Sequence, residues 1–556
     1  MFKINVKMAN ILNSNSKNLL SIPNMDFLVS YQRKILKYVI SPAFDVRRLL
    51  LLYMDTGTGK SLTSISCASA LLAAGKVKRI VIMSPKSIQE EFMKQFRKFC
   101  TLIDVENKTP DSHTYKLLKS KIISICYNSG KTFQYFNDIP HKDSCAYIID
   151  EAHLFLNSIM KTNIPDPKTE KEKGIKPKDD VDVDNKGQCM KVFNELRKLK
   201  DSYFLFLTGT PAAKTPFETV PMFNLAGTDF PENIEDFMEN HSNNVPMLKT
   251  KLKGLVAHVA ADNSLQKLKS TPLNVHEVEM SYYQYSAYIE NLKKEFSEHG
   301  YITHMNKFGW GFGQISSFHA KTFGDSIYVP PEEPTDVQTV DATHAPKILV
   351  MFNDAEKVHG KCCFYFKFLV KGVETMAQHL ENNGYELASS SFDEVFAEPK
   401  KRYIKFTGEE TVQQKYNYIR MFNQQSNIYG DYIKYIILSG AGSVGINLGA
   451  VRYLGIGSVE FNYSAIRQII GRCNRLNSHV GLPVKDRTIS NNIYICTTNK
   501  AYLRANKEEM EKWYKRRAPN WDEEFPSIER CIYQDSIADD AVNEAFREVL
   551  REVSIV

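Results

Sequence analysis

Short apolar runs alternate along this chain with stretches in which apolar residues recur at the period of an α-helix. A continuous apolar run is typical of a strand that is buried on both faces of a parallel sheet. Strands that alternate with helices predict such a sheet, and the alternation occurs twice, before residue 230 and after residue 345. The sequence therefore predicts an α/β fold with two parallel-sheet domains flanked by helices. The predicted strands are 49–53, 79–84, 121–127, 145–149, 203–207, 361–366, 403–406, 435–438 and 451–456.

Changes in composition divide the chain further. Residues 161–186 are charged, contain proline and are nearly free of large apolar side chains, which predicts a mobile insertion. The C-terminal helix is predicted to begin at a capping box, Ser536 and Asp539, and to pack on the second sheet. Its expected apolar stripe is Ala538, Val542, Phe546, Val549 and Val553. The predicted segments are a mobile arm (1–24), a first domain (25–230), a partly helical linking region (231–345), a second domain (346–500) and a C-terminal helical segment (501–556).

Composition changes this picture little. The 556 residues are 43% hydrophobic and 24% charged, as in folded globular proteins, and a formal net charge of +7 is compatible with nucleic acid without being diagnostic. The ten cysteines are scattered, which favours reduced thiols over a zinc site. The first residues lack a signal sequence and no apolar run is long enough to span a bilayer, so we expect a soluble intracellular protein with no membrane partner.

A phosphate-binding loop is predicted where the first strand ends, in the sequence MDTGTGKS at 54–61. Glycines let backbone N–H groups approach phosphate oxygens, and the start of a helix adds a positive partial charge. Lys60 is expected to reach the β- and γ-phosphates of ATP, and the Ser61 hydroxyl is expected to hold Mg²⁺. The alternative is a glycine-rich turn that only joins a strand to a helix. The residues predicted to bind ATP here are Thr56, Gly57, Thr58, Gly59, Lys60 and Ser61.

Two carboxylates, Asp150 and Glu151, follow the strand predicted at 145–149 and begin the sequence DEAH. Parallel sheets bind ligands at the carboxyl ends of their strands. Asp150 is expected to hold Mg²⁺ and Glu151 to orient the attacking water, whereas a surface acidic turn is the alternative. The sequence TGTPA at 208–212 ends a further strand, and its hydroxyl groups are expected to hydrogen-bond the acidic pair and to link hydrolysis to domain movement.

Two further groups of residues are candidates for nucleotide contacts. The Gln32 amide could pair with adenine, or it could simply belong to a helix start. Gln468, Gly471, Arg472 and Arg475 lie on a helical period, which predicts that both arginines share one helix face. Opposite a phosphate loop, two arginines would form a planar, permanently charged clamp. Elsewhere they would be solvent or salt-bridge residues.

The motifs YQ, DTGTGKS, SPK, DEAH, TGTPA, SGAGSVGINL and QIIGRCNR follow one another between Tyr31 and His479. In this set and order the chain resembles superfamily two helicases and translocases. It is most similar to the poxvirus-type nucleoside triphosphatase I and Swi/Snf-like helicases of large cytoplasmic DNA viruses. Three departures are Met54 for a small residue, Ser61 for threonine, and DEAH where cysteine often precedes the histidine.

The resemblance implies two RecA-like domains with ATP and Mg²⁺ in the cleft between them. It implies catalytic roles for Glu151, Gln468, Arg472 and Arg475, and nucleotide contacts for Gln32, Asp150 and Gly445. The loops after two strands are expected to hold a nucleic-acid backbone by its phosphates. The residues of these two loops are Ser84, Pro85, Lys86, Ser439 and Gly440.

The resemblance also implies a DNA-dependent ATPase that acts on duplex DNA in viral transcription, with the viral RNA polymerase or a transcription factor as partner. It implies the host cytoplasm, and the virion if the protein is packaged, as the location. An RNA helicase that remodels transcripts and the ATPase subunit of an early initiation factor are the alternatives. A catalytically silent scaffold is disfavoured because Lys60, Asp150, Glu151 and Arg472 are all present.

Overall fold

Every strand pairing in the part of the chain that the structure describes is parallel, and the strands form two sheets. The computed structural model describes residues 27–55, 57–103, 118–160, 181–260, 268–299, 320–333, 339–440, 446–475, 477–517 and 527–556. One compact unit consists of Met1–Ala261 and Ala541–Val556, and the other of Asp262–Asp540. The predicted α/β fold with two RecA-like domains is confirmed by these two parallel sheets and their flanking helices.

The sheet of the first unit has six strands in the order β3-β2-β4-β5-β1-β6. All six residues of β1 and all five of β4 are buried, because helices cover both faces of the sheet. Fully burying one leucine contributes about 1.5–3 kcal/mol, so the four leucines of β1 contribute strongly to the stability of this sheet. The strands are β1 (Leu49–Met54), β2 (Arg79–Ser84), β3 (Ile122–Cys126), β4 (Cys145–Ile149), β5 (Tyr203–Thr208) and β6 (Val256–Val259).

Two α-helices of the first unit precede β1, and the others lie in the connections between its strands. Apolar side chains of the first helices pack with β1, β2 and β5 in one core cluster. One helix begins at Val181, so the predicted insertion 161–186 ends inside a helix, and its residues 161–180 lie outside the described residues. The helices are Ser30–Ile40, Pro42–Arg47, Lys60–Ala73, Lys86–Ile103, Thr132–Asn137, Ala152–Met160, Val181–Leu196, Val220–Asn224, Ile234–Asp236 and Val245–Leu252.

The sheet of the second unit has seven strands in the order β7-β13-β12-β8-β11-β10-β9. Two core clusters of buried apolar residues lie on this sheet. The strands are β7 (Lys269–Glu279), β8 (Lys361–Phe366), β9 (Glu386–Leu387), β10 (Arg402–Phe406), β11 (Tyr435–Ser439), β12 (Val451–Ile456) and β13 (Thr488–Thr497). The helices that begin in this unit are Tyr282–His299, Ala320–Asp325, Pro346–Glu356, Thr375–Asn382, Phe392–Phe396, Val412–Phe422, Tyr463–Cys473, Lys500–Ala505, Lys507–Arg517 and Ile528–Glu552.

The linking region predicted at 231–345 is divided between the two units. β6 pairs with β1 in the first sheet, and β7 pairs with β13 in the second. The first unit therefore runs to Ala261 rather than to residue 230. The predicted arm 1–24 lies outside the described residues.

The C-terminal helix differs from its prediction. It begins at Ile528, so Ser536 and Asp539 lie inside the helix and do not cap it. Ala538 and Val542 are exposed, whereas Phe546, Val549 and Leu550 are buried. From Ala541 onward the chain belongs to the first unit, so the predicted packing of the whole stripe on the second sheet is wrong. The buried face of this helix differs from the predicted apolar stripe, because it includes the polar residues Asn543 and Arg547.

The structure has all ten cysteines as free thiols. Among the described residues, no helix combines the length and the apolar character that a membrane-spanning segment requires.

Candidate active site

The phosphate loop turns the chain from β1 into the helix Lys60–Ala73. Gly57 and Gly59 have φ angles of 88° and 83°, in the left-handed region that favours glycine. A Cβ at Gly59 would lie 2.8 Å from Nε2 of Gln32, so a side chain there would have to displace the Gln32 amide. The first N–H groups of a helix have no partner within it, and they make the loop a binding site for an anion such as a phosphate.

Hydrogen bonds within the protein stabilise the conformation of this loop. The Tyr31 hydroxyl donates to the Thr58 carbonyl oxygen at 2.7 Å, and the Thr58 hydroxyl donates to the Asp55 carbonyl oxygen at 2.7 Å. The Thr58 side chain is buried and stabilises the loop through its hydrogen bond to Asp55. Ser61 is partly exposed in the first turn of the helix, where its hydroxyl is available for the predicted metal contact. Thr56 lies outside the described residues.

Gln32 uses its amide to support the loop. Its Nε2 donates to the Thr63 hydroxyl at 3.1 Å, and its Oε1 accepts a hydrogen bond from the Val29 N–H at 3.1 Å. The side chain is buried. Each end of the amide thus makes one hydrogen bond with protein, as the helix-start alternative expects, and the pairing with adenine stays a prediction.

Lys60 and Asp150 bring opposite charges together at the carboxyl ends of β1 and β4. A Cβ built on Gly209 would lie 3.2 Å from Lys60 Nζ, so the lysine side chain extends past the end of β5. Burial and the neighbouring charge of Glu151 raise the pKa of Asp150 to about 7, and the positive charge of Lys60 opposes that rise. A buried carboxylate beside a lysine and close to the phosphate loop suits an Mg²⁺ ion, which would favour the ionised form.

Glu151 has an unusual backbone conformation that its neighbours stabilise. Its φ angle of 48° is left-handed, which is rare for a residue other than glycine and is concentrated at functional sites. The Glu151 N–H donates to Asp150 Oδ1 at 3.0 Å, and the Tyr127 hydroxyl lies 3.0 and 3.1 Å from the carbonyl oxygens of Asp150 and Glu151. The side chain of Glu151 is 30% exposed, so water can reach it although Asp150 is buried.

Thr208, the last residue of β5, contacts His153. Its Oγ1 lies 3.0 Å from His153 Nδ1 and accepts a hydrogen bond from the Thr210 N–H at 3.0 Å. His153 Nδ1 in turn lies 3.6 Å from Glu151 Oε2. Through His153, Thr208 is therefore linked indirectly to Glu151. His153 was not predicted as a site residue, although its place as the fourth residue of DEAH could have indicated it.

The candidate arginines lie in the second unit, at the end of the helix Tyr463–Cys473. Gln468 and Arg472 are one turn apart and both are partly exposed. The helix ends at Cys473, so Arg475 lies beyond it, and the prediction of two arginines on one helix face is wrong. Instead, Arg475 Nε donates to the Gly471 carbonyl oxygen at 3.3 Å and so caps the last turn.

The two loops predicted to bind nucleic acid differ in accessibility. Ser84 and Pro85 are buried at the end of β2, and of this loop only Lys86 offers an exposed side chain. Ser439 is also buried, and Gly440 lies beside Tyr365, whose hydroxyl would be 3.3 Å from a Cβ built on the glycine. Gly445 lies outside the described residues.

Comparisons with known proteins match this chain to a family model and to viral relatives. Residues 27–213 match the family model described as the res subunit of type III restriction enzymes. A termination factor NPH-I homologue from African swine fever virus (Kenya isolate) is 24% identical over 595 residues, which cover 94% of this chain and 79% of that protein. The nucleoside triphosphatase I of Melanoplus sanguinipes entomopoxvirus is 38% identical over 96 residues, or 17% of this chain and 15% of that protein.

Among solved structures, the SWI2/SNF2 ATPase core of Sulfolobus solfataricus in complex with dsDNA aligns with a TM-score of 0.34 and 15% identity. The alignment covers 96% of this chain and 99% of that one. The matched family and the viral relatives, together with the phosphate loop and the DEAH box, identify the activity as nucleoside triphosphate hydrolysis. The chain carries a helicase-type domain at residues 27–213 and is homologous to the NPH-I and nucleoside triphosphatase I proteins of large DNA viruses.

Proposed function

We propose that this chain is an ATP-driven motor that moves on duplex DNA and acts in viral transcription with the viral RNA polymerase. The observation that carries the proposal is the convergence of Lys60, Asp150 and Glu151 at the carboxyl ends of the neighbouring strands β4, β5 and β1. The similarity of 94% of the chain to a protein named as a termination factor supports the role in transcription. The proposal places the protein in the host cytoplasm and in the virion.

The first unit supplies the groups that bind the nucleotide. In this proposal Lys60 and the N–H groups of the phosphate loop bind the β- and γ-phosphates, and Ser61 and Asp150 hold the metal. When bound, Mg²⁺ would neutralise charge that develops on the phosphate oxygens. Glu151, exposed to water and fixed in its strained conformation, orients the attacking water.

The second unit supplies the planar cation. Arg472 is proposed to contact the γ-phosphate, and the partly exposed Gln468 one turn earlier is proposed to assist it. Arg475, held against the Gly471 carbonyl oxygen, is proposed to act from beyond the helix end. Hydrolysis would then require a movement of one unit toward the other, and that movement would drive translocation.

Nucleic acid is proposed to bind by its backbone. Lys86 after β2 and the loop Ser439–Gly440 after β11 would contact phosphates with little discrimination between bases. Ser84 and Pro85, which are buried, would shape the first loop without touching DNA. Affinity should therefore depend little on sequence and should fall steeply as salt is raised.

The test is the ATPase rate with duplex DNA, single-stranded DNA and RNA of one sequence and length. The Lys60→Ala and Glu151→Gln variants define the background, and each should lose about a hundredfold or more in turnover while Glu151→Gln still binds ATP. Stimulation mainly by duplex DNA supports the proposal. Stimulation by RNA alone would favour the RNA helicase, and a promoter preference that persists at high salt would favour an initiation factor.

A pull-down tests the partner. The tagged protein should recover the viral RNA polymerase from infected cells after nuclease treatment, because the proposed contact is with protein and not through shared DNA. Recovery that disappears with nuclease would contradict a direct partnership.

A further inference from the structure

The last sixteen residues of the chain are an integral part of the first unit. Near the chain end, the Ile555 N–H donates to the Val256 carbonyl oxygen at 3.0 Å, and Ser554 Oγ accepts from the His258 N–H at 2.8 Å. These contacts cover the free edge of β6. Ile555 and Val556 also pack against the same core cluster as β1. The segment is therefore held at its end independently of the helix before it.

Arg547 in this segment is a buried cation aimed at the loop that follows β5. Its side chain is 2% exposed. Its Nη1 donates to the Ala212 carbonyl oxygen at 3.1 Å, and its Nε donates to Glu544 Oε2 at 2.8 Å. Ala212 has a left-handed φ of 53°, a strained conformation for alanine that needs support from its surroundings. A buried guanidinium that donates to a strained carbonyl provides such support.

Asn543, one helical turn before Arg547, holds the same loop at a second point. Its Nδ2 donates to the Lys214 carbonyl oxygen at 2.9 Å. The Lys214 N–H donates to the buried Glu218 carboxylate at 3.1 Å, so the loop is also fixed from its other side. Two donors on one helix face thus define where residues 212–214 lie.

This loop is the direct continuation of Thr208, which contacts His153. Between Thr208 and Ala212 lie only three residues, and Pro211 restricts the backbone among them. The Thr210 N–H is already bonded to the Thr208 hydroxyl at 3.0 Å. Displacement at Ala212 would therefore be passed to Thr208, and from there to His153 and Glu151.

We propose that Arg547 and Asn543 are positioning residues for nucleotide hydrolysis. By holding the loop 212–214 they keep Thr208 against His153, and they thereby fix the orientation of Glu151 toward the attacking water. The inference rests on the proposed role of Glu151. Neither residue touches the nucleotide, so turnover depends on them while nucleotide binding through the phosphate loop does not.

The experiment compares Arg547→Gln, Asn543→Ala and Arg551→Gln in the full-length protein. Arg551 is the matched control, since it lies on the same helix and pairs with Glu544 but donates to the Tyr53 hydroxyl. We expect kcat to fall between about tenfold and a hundredfold in Arg547→Gln and less in Asn543→Ala, with unchanged ATP affinity. Arg551→Gln should retain its kcat.

A double variant separates positioning from general stability. If Arg547 acts through Thr208, then Arg547→Gln combined with Thr208→Ala should have the same kcat as Thr208→Ala alone. Multiplied losses, or normal kcat in both Arg547→Gln and Asn543→Ala, would overturn the inference. If Arg547→Gln does not fold, Asn543→Ala and its combination with Thr208→Ala decide the question by the same criterion. An active Lys60→Ala variant would instead refute the proposed site itself.

Discussion

Replacement of Glu529 by glutamine is expected to destabilise the second unit strongly. Glu529 forms an ion pair with Lys347 in which both side chains are 0% exposed. Lys347 Nζ lies 2.6 and 2.7 Å from the two carboxylate oxygens and also donates to the Gly457 carbonyl oxygen at 3.1 Å. The carboxylate accepts a further hydrogen bond from the Cys496 N–H in β13, at 2.7 Å. The pair thus joins the C-terminal helix to the sheet.

The magnitude follows from the complete burial of the pair. Glutamine keeps the shape of the side chain but removes its charge, which leaves an ammonium group buried without a counter-charge. Removing one partner of a buried ion pair costs about 3–5 kcal/mol, whereas a well-packed apolar pair in its place is often close to neutral. Lys347→Met combined with Glu529→Met should therefore recover most of the stability that Glu529→Gln loses.

Hydrogen exchange of peptides from β12 and β13, measured across a urea series, reports the free energy of unfolding of this unit alone. The matched control is Glu398→Gln, which breaks the exposed pair with Lys400 and should leave protection unchanged. A loss below about 1 kcal/mol in Glu529→Gln, or a double variant less stable than either single variant, would refute the reasoning from burial.

Three further predictions follow from individual residues. Arg472→Ala should bind ATP almost normally but lose about a thousandfold in turnover, with no rescue by Arg472→Lys; full DNA-stimulated turnover in Arg472→Ala would contradict the proposed motor. Gly59→Ala should weaken ATP binding and lower Tm, because its φ of 83° costs alanine about 1–2 kcal/mol and its Cβ would lie 2.8 Å from Gln32 Nε2; unchanged calorimetric affinity would contradict this. Burial lowers the pKa of His479 from 6.5 to about 4, so its folded form binds a proton more weakly than the unfolded chain does, and stability is lost as pH falls from 6.5 toward 4. This loss should be about 2 kcal/mol between pH 7 and pH 5 and should be absent in His479→Gln; equal urea midpoint shifts in both proteins would count against it.

The central strands could be predicted from sequence because burial on both faces gives them unbroken apolar runs. β1, β4 and β5 follow this rule, and the phosphate loop and the acidic pair were located from the ends of two of them. β7 was not predicted. Ten of its eleven residues are exposed or half-buried, because it is an edge strand. Its sequence, KSTPLNVHEVE, has no apolar run. The division of residues 231–345 between two sheets was missed because neither β6 nor β7 was predicted as a strand.

The features of the candidate site that could not be predicted from the sequence depend on tertiary contacts. A helical period through Arg475 could not reveal that the helix stops at Cys473. Likewise, an upstream glutamine gives no sign that both ends of its amide are occupied by Thr63 and Val29. The burial of Asn543 and Arg547 in the C-terminal helix could not be predicted, because polar side chains usually lie in solvent.

The order of the two units along the chain has a consequence for synthesis on the ribosome. Because Ala541–Val556 belongs to the first unit, the whole of Asp262–Asp540 is an insertion within it. At roughly 5–20 residues per second, translation of that insertion takes about 15 to 60 s. Throughout this interval the nascent first unit exposes the edge of β6 and lacks the donors that hold residues 212–214. With the roles proposed for Arg547 and Asn543, an unfinished chain would bind nucleotide before it could hydrolyse it efficiently.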